Sequence, residues 1–150
     1  MSYRTGEQAI ATLLEGVTGF SPLIITRSKW GILNTGKSDH YAILKPGPAS
    51  SKWTSLRVEE TTWGTTIQVW QRFRKDGSDV DALEDYANAI TGRIEQYPHL
   101  GLGGDSAVVL SCVNKVSEIL EMWAKAGGPQ WIRMDLLVEW KEWTQYTFLE

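Results

Sequence analysis

Apolar residues recur at helical spacing in two stretches and at strand spacing in several others. From Glu7 to Val17, the residues Ile10, Leu13, Leu14 and Val17 share one face of an amphipathic helix. Gly16 and Gly19 with Pro22 end it. A longer stripe of Val80, Leu83, Tyr86, Ala87, Ile90 and Ile94 runs to about Tyr97, where Pro98 stops it. Ser78 with Asp81 three residues on resembles a capping box for this second helix, after a turn at Lys75-Asp76-Gly77. Gly92 lies inside it, at a cost of up to about 1 kcal/mol against alanine.

Strand patterns fill the rest. Leu23 to Gly36 reads as extended and broken, and Tyr41-Ala42-Ile43-Leu44 as a short strand closed by the Pro46-Gly47-Pro48 turn. Thr62 to Phe73 alternates strictly. Trp63, Thr65, Ile67, Val69, Gln71 and Phe73 fall on one face, the expected core side. Thr66, Gln68, Trp70 and Arg72 fall on the other, which leaves Trp70 as a large aromatic on a polar face. Ala107 to Val113 is apolar and β-branched, hence a strand. Lys115 to Ala126 fits a helix through Val116, Ile119, Leu120 and Trp123, or an extended segment, and the extended reading is preferred. After the Gly127-Gly128-Pro129 turn, Trp131 to Trp143 reads as an antiparallel strand with one wet face. The order helix, strands, helix, strands predicts one α+β domain over residues 1–150, with two main helices packed on an antiparallel or mixed β-sheet.

Composition narrows the function. The 150 residues are 42% hydrophobic and 22% charged, as in ordinary globular domains rather than disordered chains. A net charge of -3 argues against a general nucleic-acid binder, which would be basic. Cys112 is the single cysteine, so no internal disulfide forms, and in an apolar strand it reads as a buried, inert thiol. No signal peptide is expected at the N-terminus, and no stretch reaches the roughly 20 apolar residues of a membrane span. Eight tryptophans are many for this length; some are expected in the core and some at subunit contacts, where tryptophan is enriched.

One motif raises a nucleotide-binding alternative. Gly31-Ile32-Leu33-Asn34-Thr35-Gly36-Lys37-Ser38 satisfies the phosphate-loop pattern, which requires a helix starting at Lys37-Ser38 to hold phosphates on its free N–H groups. Pro46 and the strand-like Tyr41–Leu44 follow too closely for that helix, so a turn at Asn34-Thr35-Gly36 between extended segments is expected instead. His40 and His99 are far apart and read as solvent-facing loop residues, so no metal site is expected. Glu59 and Glu60 are adjacent and would face opposite sides of a strand, which prevents joint acid–base work on one bond. Gly101-Leu102-Gly103-Gly104 lacks the third glycine and the following helix of a dinucleotide fold. No catalytic group, cofactor or enzymatic activity is expected.

Across most of its length the chain resembles the tail-terminator (tail-completion, neck) proteins of long-tailed bacteriophages. The resemblance rests on the early amphipathic helix and on Asn34-Thr35-Gly36 leading into Tyr41-Ala42-Ile43-Leu44-Lys45-Pro46-Gly47. It continues through the strand Thr66–Phe73, the helix end Ile94-Glu95-Gln96-Tyr97-Pro98-His99-Leu100-Gly101, and Trp131 leading Leu136-Leu137-Val138-Glu139-Trp140. It implies a compact α+β subunit of a six-membered ring that caps the finished tail tube, ends its polymerisation and meets the head connector. DNA would pass through the lumen without sequence-specific binding, and the protein would act in the virion after assembly in the host cytoplasm. A head-completion or connector protein is the neighbouring alternative. A cyclic ring needs two different complementary patches per subunit, and Trp70, Trp131 and Trp143, on the polar faces of their strands, are the candidate interface residues.

Overall fold

The computed structural model describes residues 3–17, 23–27, 40–73, 78–102, 108–115, 121–124 and 130–145. In chain order the elements are α1 (Tyr3–Leu14), β1 (Leu23–Arg27), β2 (His40–Pro46), β3 (Ser50–Trp53), β4 (Val58–Phe73), α2 (Ser78–Glu95), β5 (Val108–Lys115), β6 (Glu121–Ala124) and β7 (Gln130–Gln145). This is the expected α+β arrangement of two helices on a mixed sheet. The phosphate-loop-like Gly31–Ser38, the turns at residues 75–77 and 127–129, the Ser78 cap side chain and the Cys112 thiol lie outside the described residues.

The sheet runs β1-β2-β4-β7-β5, with β3 beside β4 and β6 beside β7. Its spine is the antiparallel pair β4–β7, in unbroken register from Val58↔Gln145 to Phe73↔Gln130. β1 and β2 pair in parallel, Leu23 opposite His40. A parallel pair needs a crossover rather than a tight turn. The turn expected at Asn34-Thr35-Gly36 lies outside the described residues. The disputed stretch after β5 includes strand β6, the extended alternative, over Glu121–Ala124; residues 116–120 lie outside the described residues.

Both helices lie on one face of the sheet. Ile10, Leu13 and Leu14 of α1 and Leu83, Tyr86, Ala87, Ile90 and Ile94 of α2 meet Ala42, Leu44, Ile67, Val69, Ile132, Met134, Leu136, Val138 and Trp140 in one core. These are the odd-numbered positions of β4 and the even-numbered positions of β7, as alternation requires. α1 starts earlier than expected, at Tyr3, because this turn has its own anchor. Tyr3 stacks on Trp140 at 5.9 Å and 23°, and its hydroxyl donates to the buried Glu7 carboxylate at 2.5 Å.

The opposite face departs from expectation over its middle. Tyr41, Ile43, Trp70 and Trp131 form a second buried cluster there, with Tyr41 and Trp131 edge to face at 5.4 Å. Arg133 lies over the Trp70 ring at 5.5 Å and pairs with Asp135 at 3.1 Å. Tyr41-Ala42-Ile43-Leu44 is apolar at consecutive positions, so it presents apolar groups to both faces and the sheet cannot be wet on one side there.

Gly92 gives a direct test of helix packing. A Cβ built at this position meets nothing within 4 Å. Gly92→Ala is expected to stabilise the subunit by about 0.5–1 kcal/mol, through reduced unfolded-state entropy. A thermal melt should show a midpoint raised by roughly 1–4 °C; a lowered midpoint would mean that the helix packs differently there.

Candidate interaction surfaces

Length alone produces the first surface. β4 has 16 residues and spans about 50 Å, whereas α2 has 18 residues and spans about 27 Å. The helical layer therefore cannot cover the whole strand. No residue from Ser50 to Trp63 is buried, and β3 is exposed at every position. β3, the first part of β4 and the end of β7 thus continue as an arm beyond the core, flanked at its base by β5, whose Val108 and Val109 pair with Glu142 and Lys141.

Gly64 marks the root of the arm. Its carbonyl accepts from the Gly47 amide at 2.8 Å, and a Cβ there would sit 2.7 Å from the Pro48 carbonyl oxygen. The chain between β2 and β3 lies directly against this point, which only glycine permits without a shift. At the tip, the Thr54 amide and hydroxyl both donate to the Val58 carbonyl, at 2.9 Å and 3.2 Å, and close the turn. Trp53 and Leu56 are 56% and 89% exposed. Across the arm, Trp53 stands opposite Glu59, while Trp143 stands opposite Glu60. The two tryptophans therefore lie on opposite faces. Lys141 and Glu60 form an ion pair at 3.3 Å on the Trp143 face.

The three tryptophans expected at an interface separate on this basis. Trp70 and Trp131 are 6% and 1% exposed, so they belong to the interior of the subunit and not to its surface. Trp143, at 37%, is exposed on the arm. Trp53 and Leu56 were not legible as surface groups, although a tryptophan and a leucine inside the polar run Ser50–Arg57 were a usable signal.

A concave surface lies elsewhere, between α1 and the end of α2. Arg93 joins the two helices: its Nε donates to the Leu13 carbonyl at 3.0 Å, and its guanidinium lies 4.8 Å over the Tyr97 ring. The cation thereby meets the Leu13 carbonyl, which also accepts from the Gly16 amide at 3.1 Å, at the C-terminus of α1, where positive charge is favoured. Beyond α2 the chain turns through Leu100 and Gly101, both left-handed at φ 54° and 73°. Leucine is strained in that conformation, and burial of its side chain in the core offsets the strain. The result is an open cleft of about 610 Å³, with Ala9, Leu13, Leu100 and Leu102 as apolar lining and Arg4 and Arg93 as its charged groups.

The candidate chemical groups stay dispersed. Glu59 and Glu60 occupy opposite faces of β4. His40 is not a loop residue: it opens β2, half-buried, with its ring edge-on to Tyr86 at 5.5 Å. Burial pushes the Tyr86 phenol well above its ordinary range. His99 lies half-buried in the turn after α2. Because β2 begins at His40, a strand and not a helix follows Ser38 almost at once. Among the described residues, no group of three His, Cys, Asp or Glu side chains is placed to hold a metal ion, and no helix is long and apolar enough to cross a membrane. No protein-family model matches the chain, and no curated protein matches it either.

Proposed function

We propose that this chain is a structural subunit of a ring in the neck of a long-tailed phage, where it caps the tail tube and joins it to the head connector. The arm is the observation that carries the reading. It places Trp53 and Leu56, and Trp143 on its other face, at the end of a ribbon of β3, β4 and β7. Exposed aromatics on both faces of one ribbon suit insertion between protein neighbours better than a solvent boundary. The resemblance in element order points the same way. The formal charge of -3 is compatible with a lumen through which DNA slides without being gripped.

Light scattering across a concentration series, with negative-stain images of the same fractions, tests this. Rings with a central hole that bind the ends of purified tail tubes are expected. Rings that ignore tube ends but bind portal or connector assemblies would transfer the protein to the head side of the neck. Binding to neither would remove the neck assignment. A nucleotide-binding role through Lys37 and Ser38 predicts a higher melting temperature with millimolar ATP or GTP and Mg²⁺, and no such shift is expected.

A further inference from the structure

The arm and the cleft are a knob and a hole on different parts of one chain. We propose that the arm tip of one copy, Trp53 with Leu56, seats in the α1–α2 cleft of a second copy. Size is the first argument. The cleft volume of about 610 Å³ lies in the range of roughly 300–1,000 Å³ that encloses a compact organic ligand, so it holds two apolar side chains. Charge is the second. The charged groups among the described cleft residues are Arg4 and Arg93, with no carboxylate. On the arm, the Trp53 face carries Glu59 directly across from the indole, Lys52, Glu60 and Lys141 belong to the other face, and the exposed Arg57 follows Leu56 in the tip turn. The indole of the knob, with Glu59 beside it, therefore meets a base-bordered apolar hole. Symmetry is the third argument. A patch complementary to a different patch on the same molecule makes a head-to-tail contact, which closes into a ring or continues as a filament. This inference rests on the ring-subunit reading for its closure, but the contact itself stands on the two surfaces.

The test uses two variants of the full chain. The arm variant is Trp53→Ser with Leu56→Ser. The cleft variant is Gln8→Glu with Thr12→Glu, two exposed α1 positions on the cleft wall. All four positions are exposed, so both variants should melt close to the parent, and melting curves check this before assembly is measured. Sedimentation is then followed up to millimolar concentration. The parent chain should form closed oligomers. Each variant alone should associate roughly thirtyfold or more weakly, the loss expected for a buried anchor. An equimolar mixture of the two should stop at dimers, because the arm variant still offers a cleft and the cleft variant still offers an arm. A parent chain that stays monomeric throughout, or a mixture that yields no dimers, would overturn the proposal. Oligomers untouched by both variants would overturn it while leaving the ring reading intact. Conversely, dimers in the mixture together with parent rings that ignore tail tubes would keep the docking and remove the tail-terminator reading.

Discussion

Trp140→Ala should lower the folding stability of the subunit by about 3–5 kcal/mol, the range for removing a fully buried large aromatic. Trp140 has no exposed surface and lies where α1 meets the sheet. Tyr3 stacks on it, Gly6 backs onto it, and Trp63 is its cross-strand partner on β4. A whole indole lost from this position leaves a cavity that α1 cannot fill without moving off the sheet. Domains of this kind have only about 5–15 kcal/mol to lose, so the urea midpoint should fall by roughly a fifth or more at unchanged slope. Trp143→Ala is the matched comparison. It lies three residues further along the same strand, on the other face and partly exposed, and should change stability by less than about 0.5 kcal/mol. Equal and small losses at both positions would mean that the helix layer does not rest on Trp140.

The second large effect reverses a general rule. Alanine is worth up to about 1 kcal/mol more than glycine inside a helix, so Gly6→Ala in α1 ought to stabilise. It should instead cost about 1–3 kcal/mol, as overpacking does. A Cβ at Gly6 would lie 2.5 Å from Cε2 and 2.8 Å from Nε1 of Trp140, and closer still to Cζ2. An indole buried on all sides cannot give way as a flexible surface side chain would. Gly92→Ala, in open space on α2, should have the opposite sign. A double-mutant cycle with Trp140→Phe isolates the clash: the cost of Gly6→Ala should shrink when the smaller ring is present, and strict additivity would exclude the contact.

Much of the architecture was legible in the spacing of apolar residues. The stripe Leu83, Tyr86, Ala87, Ile90 and Ile94 identified α2, and the alternation of Ile132, Met134, Leu136, Val138 and Trp140 identified the buried face of β7, because both periods match one-sided burial. Trp70 was misread for an instructive reason. Alternation along β4 assigned it to a polar face, but burial there is decided by the neighbouring strand, where Tyr41 stands directly opposite Trp70. A single-strand pattern carries no information about the strand beside it. The arm was invisible for the converse reason. Ser50–Trp53 has no apolar period because neither of its faces meets a core, so the features that make it a candidate interface also removed the signal that reveals strands. Nor does any local pattern specify that β1 pairs in parallel with β2, since that choice lies in the route of the crossover.

The place of β7 in the sheet bears on when the fold, and with it both proposed contact surfaces, is complete. It is the last of the described elements in the chain, yet it lies between β4 on one side and β5 and β6 on the other. It also supplies Trp140, on which α1 rests. A nascent or truncated chain that stops short of Gln130 leaves β4 and β5 with open edges, a third strand missing from the arm, and no floor beneath α1. Knob and hole are thus completed by the same strand. If the proposed arm–cleft contact holds, a partial product without β7 would lack the support of both halves of it.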